Sequence, residues 1–253
     1  MKRSDIDLEY FFETTGSMKA MGLNDAGFSH YDGTHVFWLV LFAISAVVCC
    51  MFYRKCGERG RKRWRYIMAG LIVADEIYKV VTLLAVGLYT VNYLPMELCS
   101  INIILIAIHA FKPSKLLDNF LYAVCIPGAL LALLFPSWTR LPLANFMHIH
   151  SFTVHILLVL YPLMLTVGGD IKPNAKKIPH VLLLLVALAI PVYVFNLIFD
   201  TNYMFLMYAE KGNPLYLFEQ FTENHLVGIP IILVPLFTLE FLPWVICEKY
   251  RKR

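Results

Sequence analysis

Three histidines and a serine lie within eight residues, HIHSFTVH, at positions 148–155, and strongly apolar sequence follows them. Imidazole titrates near neutral pH, so this cluster could bind a metal, relay protons, act as a catalytic base or form polar contacts between helices. On a helix, His148, Ser151 and His155 share one face. His150 points roughly the opposite way.

A nearby thiol would favour the catalytic interpretation. A neutral histidine can take the proton of a cysteine and raise its thiolate fraction, which makes the sulfur a competent acyl acceptor. Cys99 is the cysteine that we place beside this cluster. The other five fall near cytoplasmic ends, in a basic loop or in an apolar stretch: Cys49, Cys50, Cys56, Cys125 and Cys247. His150 is predicted to lie at about the same membrane depth as Cys99, which favours it as the base. His155 lies on the same helix face as Ser151, which favours His155 instead.

A metal ion is the alternative occupant of the histidine cluster. His148 and His155 would lie about 10 Å apart along a helix axis, too far for one zinc ion with bonds of about 2 Å. The HExxH spacing of two ligands one turn apart beside a glutamate is also absent. Further ligands such as His225 or Cys99 would have to come from other segments, so we predict neither a metal site nor a cofactor.

The elements that position these residues are expected to lie in lipid. The chain has 253 residues, of which 59% are hydrophobic and 16% charged, whereas a soluble domain carries about 25% charged residues. The start, MKRSDIDLEYFFETTG, has acidic residues where a signal peptide has its apolar core, so we predict no cleaved signal peptide. The cysteine spacing indicates no disulfide framework, and the net charge of +4 does not indicate nucleic-acid binding.

Seven apolar segments are long enough to predict an all-α membrane protein with seven transmembrane helices. They cover residues 35–53, 66–89, 94–111, 117–135, 146–167, 178–199 and 226–247. The predicted organisation is an N-terminal segment at 1–34, a seven-helix domain at 35–247 and a basic tail at 248–253.

Basic residues predict the orientation, because lysine and arginine are retained on the cytoplasmic side. Four connecting or terminal segments hold 16 of the 22 Lys and Arg residues: RKCGERGRKRWR, HAFKPSKLLDN, GGDIKPNAKKIPH and EKYRKR. If seven helices alternate, all four lie on one face. The sequence therefore predicts an extracytoplasmic N-terminus and a cytoplasmic C-terminus.

Polar residues cluster at the outer ends of four predicted spans. These are Cys99, Ser100 and Asn102 in the third, the HIHSFTVH residues in the fifth, Asn196, Asp200, Thr201, Asn202 and Tyr203 after the sixth, and Glu223, Asn224 and His225 before the seventh. Burying such groups in hydrocarbon is costly, so they should face one another or a wet cavity. We predict substrate contacts from eight of these residues: His148, Ser151, Asn102, Asn196, Asp200, Asn202, Tyr203 and His225.

Three charged residues lie inside the second predicted span. Asp75 and Lys79 are spaced i,i+4 and are expected to pair on one helix face, with Glu76 beside them. A proton or ion pathway is the alternative interpretation of these groups.

Three motifs give the chain a family resemblance: LPMELCSINI, HIHSFTVH and DTNYMFL. In order and spacing they resemble those of the YwaF-type bacterial integral membrane proteins, which are related to eukaryotic transmembrane protein 164. Where that family often reads LPLHLC, this chain has Glu97 in place of the histidine. The resemblance implies a cysteine-dependent phospholipid acyltransferase with Cys99 as nucleophile and a histidine of the fifth span as its partner.

We therefore expect a multi-pass protein of the bacterial plasma membrane that acts on phospholipids and lysophospholipids. If water replaced the lysolipid acceptor, the enzyme would be a lipase. Two other functions stay open: a proton-coupled carrier or channel with a His and Asp relay, for which the sequence shows no inverted repeat, and a seven-helix sensor. The sequence does not indicate an oligomeric state.

Overall fold

Helices make up all the regular secondary structure in the described part of the chain, which confirms the all-α prediction. The computed structural model describes residues 9–23, 26–209, 215–222 and 224–251. Glu223 and parts of the two predicted terminal segments, 1–8 and 252–253, lie outside these ranges.

The helices are numbered here in chain order. They are α1 (Thr15–Ala20), α2 (Gly33–Lys55), α3 (Glu58–Ala85), α4 (Leu98–Phe111), α5 (Lys115–Phe120), α6 (Ile126–Leu134), α7 (Phe146–Gly168), α8 (Ile178–Phe199), α9 (Tyr216–Thr222) and α10 (Gly228–Arg251). A π-helical turn, Leu121–Cys125, joins α5 to α6. In the described ranges, four single 3₁₀ turns lie between helices, at Val91–Tyr93, Ala175–Lys177, Tyr203–Phe205 and His225–Val227. Helix α10 ends at Arg251, four residues beyond the end of the seventh predicted span at 247.

Five described helical segments are long and apolar enough to cross a membrane: α2, the segment from Lys115 to Leu134, α7, α8 and α10. The other two predicted spans are also helical. However, α3 carries basic residues in its first turns and charged residues farther along, and α4 has only 14 residues. Seven crossings and the orientation of the termini remain predictions.

Helix α7 is the centre of the fold. It packs against α2, α3, α4 and α6. In its most apolar stretch of 18 residues 56% is buried, compared with 17% in that of α2 and 11% in that of α10. Asn145 caps its start by accepting hydrogen bonds from the backbone N–H groups of Met147 and His148. Gly169 ends it in the left-handed conformation that glycine adopts without strain. The cap fixes the depth of the HIHSFTVH residues.

The N-terminal segment packs on the loop that precedes α7. The Asn145 side chain donates hydrogen bonds to the carbonyls of Tyr10 and Glu13, and the Phe28 N–H donates to the Thr139 carbonyl. The segment thus lies on the same end of the bundle as the histidine cluster.

Helices α8 and α10 stand away from the core along most of their length. Helix α8 contacts α5 and the turns at 175–177 and 203–205, and α10 contacts the turns at 175–177 and 225–227. One shared cluster, formed by Phe120, Ala123, Val124, Val181, Phe237 and Phe241, packs both helices onto α5 and the π-helical turn. This arrangement leaves a large space between the two helices and the core.

Candidate active site

A thiol and an imidazole meet where α4 begins. Cys99 Sγ lies 3.2 Å from Nε2 of His155. On the other side of the ring, Nδ1 lies 2.6 Å from the backbone carbonyl oxygen of Ser151. A carbonyl oxygen only accepts hydrogen bonds, so Nδ1 carries the proton and Nε2 presents its lone pair to the thiol. This is the tautomer that a general base for Cys99 requires.

The start of α4 and a loop tryptophan define the surroundings of this pair. Cys99 is the second residue of α4, and the N-cap residue Glu97 gives no side-chain hydrogen bond to the first turn. The positive end of the helix dipole therefore lies at Cys99, where it stabilises a thiolate. His155 is held from its face by Trp138, whose ring stacks on the imidazole with centroids 5.2 Å apart and planes 14° apart.

The pair lies in the wall of a cavity of 1820 Å³. One wall is formed by α4 and α7, and its polar residues are Cys99, Ser100, Asn102, His150, Ser151 and His155; it is called the polar wall below. Apolar lining residues come mostly from α6, α8 and α10 and include Leu131, Leu185, Val186, Leu233, Phe237 and Leu242. A cavity with one reactive polar wall and long apolar walls fits an amphiphile with its reactive group at the polar side.

Asn102 lies one helical turn after Cys99 and is 2% exposed. Its side-chain Oδ1 is buried without a hydrogen-bond partner. Buried amide atoms are usually hydrogen-bonded. The unpaired Oδ1 of Asn102, beside a reactive pair in a cavity, therefore indicates a group that is available to bind a ligand. Ser151, by contrast, contributes its backbone carbonyl to His155.

His150 faces α3 and not the thiol. Its Nδ1 lies 2.8 Å from Asp75 Oδ2, and its Nε2 lies 3.8 Å from Glu76 Oε2. The expected pair of Asp75 and Lys79 is wrong, because Lys79 Nζ contacts Glu76 Oε1. Asp75 is turned to His150, which leaves the i,i+3 neighbour for the lysine.

His148 is buried within the outer part of the core. Its Nε2 accepts a hydrogen bond from the indole N–H of Trp38 at 2.9 Å, and its Nδ1 donates to the carbonyl of Leu141 at 3.0 Å. Both ring nitrogens are therefore occupied, and the ring is fully buried. In this structure His148 joins α2 to the loop before α7 and does not reach the cavity.

The remaining five residues predicted to bind substrate lie in or beside the segment 200–209. Asn196 uses both amide atoms on this segment, donating to the Tyr203 carbonyl and accepting from the Tyr203 N–H. Asn202 bonds the backbone of Met207 and Tyr208 in the same way. His225 donates to the Phe205 carbonyl at 2.6 Å. The described wall of the cavity contains none of the five: Asn196, Asp200, Asn202, Tyr203 and His225.

These contacts are needed because the segment has an unusual backbone. Asp200, Met204 and Phe205 all have positive φ angles, between 51° and 58°, and side chains that bond the backbone help to hold such conformations. Burial raises the pKa of the Tyr203 hydroxyl to about 12, so this group stays protonated and donates to the Val91 carbonyl. The Met204 N–H also donates to the Glu97 carboxylate at 3.0 Å. The segment is thereby tied to the residue that precedes α4.

The model of the TMEM164 family matches residues 27–241, which is most of the chain and includes every residue of the cavity's polar wall. The chain belongs to the TMEM164 family. This confirms the resemblance to transmembrane protein 164 drawn from the sequence. Neither the curated proteins nor the solved structures give a significant match. With five apolar helices long enough to cross a bilayer, this member of the TMEM164 family is a multi-pass membrane protein.

Sequence reasoning missed one important residue of this TMEM164-family site. Trp138 lies in a loop that was treated only as an outer connection, where tryptophan is common at membrane interfaces. Its role depends on a contact with His155, 17 positions away, which no local pattern records. Within the described ranges, no group of three or more His, Cys, Asp or Glu side chains is arranged to hold a metal ion.

Proposed function

We propose that this protein is an acyltransferase for glycerophospholipids in which Cys99 is the nucleophile and His155 is the base. The observation that carries the proposal is the 3.2 Å contact between Cys99 Sγ and His155 Nε2, with the opposite ring nitrogen held by the Ser151 carbonyl. Both residues line a cavity that also has apolar walls, so a lipid ester can approach the sulfur.

The first half-reaction acylates the enzyme. His155 Nε2 takes the thiol proton, and the thiolate attacks the ester carbonyl carbon to form the new carbon–sulfur bond. The tetrahedral intermediate collapses, the bond from carbon to the glycerol oxygen breaks, and His155 gives its proton to that oxygen. A lysophospholipid leaves, and the acyl group stays on Cys99 as a thioester.

The negative charge of the intermediate needs hydrogen-bond donors close to the sulfur. Asn102 lies one turn from Cys99 on the same cavity wall, and the uncapped first turn of α4 offers backbone N–H groups. Fixed donors of this kind stabilise an oxyanion strongly because they need no rearrangement. We assign the oxyanion to the side-chain N–H₂ group of Asn102, which donates hydrogen bonds, and to the backbone N–H groups at the start of α4.

The second half-reaction transfers the acyl group to a hydroxyl, preferably that of a lysophospholipid. The acceptor loses its proton to a base, its oxygen attacks the thioester, and the carbon–sulfur bond breaks. With water as the acceptor the same steps release a fatty acid, which gives the lipase variant.

The walls formed by α6, α8 and α10 support a lipid substrate in particular. Their lining side chains are mostly aliphatic or aromatic, and only 17% of the most apolar part of α8 and 11% of that of α10 are buried. A lipid can therefore move from the bilayer between these helices without exposing its chains to water. We infer that it enters from the outer leaflet of a bacterial plasma membrane.

The test is acyl transfer in vesicles that contain the purified full chain, an alkyne-labelled phospholipid and a lysophospholipid. We expect His155→Gln to lower the transfer rate about 100- to 10,000-fold, the usual contribution of a general base. Cys99→Ala should abolish transfer, whereas Cys247→Ala, which changes an exposed cysteine, should leave it unchanged. Full transfer by Cys99→Ala would rule out the mechanism.

One observation favours a second candidate function, proton-coupled transport. Asp75, Glu76, Lys79 and His150 form a buried ionisable group inside the bundle, as proton relays do. That function predicts a pH-dependent solute flux into vesicles that Cys99→Ala does not change. The absence of inverted repeats in the sequence makes this the weaker proposal.

A further inference from the structure

A second, smaller cavity lies at the opposite end of the bundle from Cys99. Its volume is 190 Å³, below the roughly 300–1,000 Å³ of sites for drug-sized ligands, so it has room for a small group only. Cys99 is near the start of α4 and His109 near its end, about 15 Å farther along the axis. The polar side chains that line the second cavity are Arg65, His109, Ser114, Lys115, Asp118 and Asp170.

Three of the four basic segments that predict the cytoplasmic side meet at this cavity. RKCGERGRKRWR supplies Arg65, HAFKPSKLLDN supplies Lys115, and GGDIKPNAKKIPH supplies Asp170. Helices α4 and α7 end at these segments. The cavity therefore lies at the end of the bundle that we predict to face the cytoplasm, close to the level of the lipid phosphate groups.

Asp118, one of the two carboxylates in this cavity, already has its partners. Its Oδ1 accepts a hydrogen bond from Nε2 of His109 at 2.9 Å, and its Oδ2 accepts one from Nζ of Lys115 at 3.1 Å. The other ring nitrogen of His109 lies 2.9 Å from the hydroxyl of Tyr161. The charge of Asp118 is thus balanced by Lys115, and the imidazole has no nitrogen left for a ligand.

Asp170, the second carboxylate, is also balanced. Its Oδ1 lies 2.8 Å from Nη1 of Arg61, and its Oδ2 accepts a hydrogen bond from the hydroxyl of Tyr53. Arg61 also donates to the carbonyl of Gly168 at 2.7 Å, which fixes the guanidinium against the end of α7. Both oxygens of Asp170 are therefore occupied without Arg65.

Arg65 is left as a charged group without an opposite charge. It takes part in none of the ion pairs among the described residues, and its Nε is buried without a hydrogen-bond partner. A guanidinium is always protonated and only donates hydrogen bonds, so this atom needs an acceptor. Leaving a buried donor of a charged group unpaired is costly. The cavity therefore lacks one anion.

We propose that the second cavity binds a phosphate group, with Arg65 as its main ligand. A guanidinium offers parallel N–H donors that match two phosphate oxygens. Lys115 has donors beyond the one that it gives to Asp118, and Ser114 Oγ accepts from the Leu117 N–H, which leaves its hydroxyl proton for a ligand. Basic pockets between helices on the cytoplasmic side bind anionic lipid head groups, so the phosphate is that of such a lipid or a free ion.

Isothermal titration calorimetry on the purified full chain in a neutral detergent tests the site with two probes. The probes are inorganic phosphate and dihexanoyl phosphatidylglycerol, and sodium chloride at matched ionic strength is the blank. We compare wild type with Arg65→Gln, Arg65→Lys and Lys115→Gln. Arg63→Gln is the control, because it changes an exposed arginine of the same helix that does not line the cavity.

We expect the wild type to bind one phosphate group per chain, and Arg65→Gln to weaken binding at least about tenfold because it removes the charge and the paired donors. Arg65→Lys keeps only the charge and should give an intermediate affinity. Lys115→Gln should weaken binding about threefold, because the charge of Asp118 is then unbalanced beside the ligand. Arg63→Gln should bind like wild type.

The two probes distinguish the source of the phosphate. Tighter binding of phosphatidylglycerol than of inorganic phosphate would support a lipid head group as the ligand. Binding of inorganic phosphate without phosphatidylglycerol would support the free ion. Either result supports the site only if Arg65→Gln weakens it.

Binding of neither probe would overturn the proposal. Unchanged binding in Arg65→Gln would also overturn it, because the probe would then lie elsewhere, and equal weakening by Arg63→Gln would indicate only general surface charge. Thermal unfolding shows whether each variant is folded. If Arg65→Gln does not fold, Lys115→Gln decides, since its side chain is 70% exposed, and unchanged binding there would refute the site. These outcomes do not involve Cys99, so the proposed function is tested separately.

Discussion

At the scale of single residues, the proposed chemistry depends on how one imidazole is fixed. The Ser151 carbonyl fixes the tautomer of His155, Trp138 covers one face of the ring, and Cys99 faces the free nitrogen. The sulfur also lies at the positive end of α4. Each contact makes the thiolate easier to form or the imidazole more precisely aimed.

This arrangement predicts a reactive thiol whose reactivity depends on His155. His155→Gln should lower the alkylation rate of Cys99 by N-ethylmaleimide about tenfold, because the amide cannot take the thiol proton. The rate is measured by mass spectrometry on the peptide that contains Cys99. His180→Gln, which changes an exposed histidine on α8, serves as the matched control. An unchanged rate would mean that the imidazole does not activate this sulfur.

Trp138 is predicted to act as a positioning residue for His155. Trp138→Ala removes the stacked ring and should slow acylation of Cys99 about tenfold, which corresponds to roughly 1.4 kcal/mol and lies within the range for aromatic pairs. Trp138→Phe keeps an aromatic face and should recover most of the rate. Equal loss in both variants would argue against stacking as the cause.

At the scale of elements, the loop that carries Trp138 is held by the N-terminal segment. A Cβ atom at Gly27 would lie 1.9 Å from the Thr139 carbonyl oxygen, whereas one at Gly33 would meet nothing within 4 Å. Gly27→Ala must therefore displace the loop and should cost about 1–3 kcal/mol of stability. Gly33→Ala should not. Thermal unfolding in detergent measures the difference, and equal melting temperatures would contradict the packing described here.

The same loop links stability to activity. If Gly27→Ala displaces residues 139–141, Trp138 should lose its stacking contact with His155. Transfer of an acyl group from the phospholipid to Cys99 should then slow in the folded variant. Gly33→Ala again provides the comparison.

The sequence predicted the helices well because lipid allows few alternatives: buried backbone groups must be bonded within helices, and polar residues in apolar spans stand out. It narrowed the partner of Cys99 to two histidines. The choice between them depends on how α7 is rotated against α3 and α4, which no local pattern encodes. For the same reason the sequence paired Lys79 with Asp75, although in the structure His150 contacts Asp75 and Lys79 contacts Glu76.

The segment 200–209 contains contacts that the sequence could not predict. Its asparagines and tyrosine looked like ligands because they are polar and lie near the membrane surface. In the structure they bond backbone groups around Asp200, Met204 and Phe205, whose φ angles are positive. Such conformations depend on tertiary contacts, so no local pattern in the sequence predicts these hydrogen bonds.

At the scale of the whole molecule, the orientation predicted from the basic residues can be tested. The end of the bundle with Glu9 should face the extracytoplasmic side, and the α2–α3 connection with Arg59 the cytoplasm. A membrane-impermeant maleimide added to intact cells should label Glu9→Cys but not Arg59→Cys, and permeabilised cells should show both. The reverse pattern would place the cavity mouth on the cytoplasmic side.

The most direct measurement is the mass of the peptide that contains Cys99 after the wild-type protein is incubated with phospholipid vesicles and no acceptor. We predict an added acyl group on Cys99 that hydroxylamine removes and that His155→Gln does not acquire. An acyl group on another residue, or none on Cys99 while transfer proceeds, would contradict the central claim.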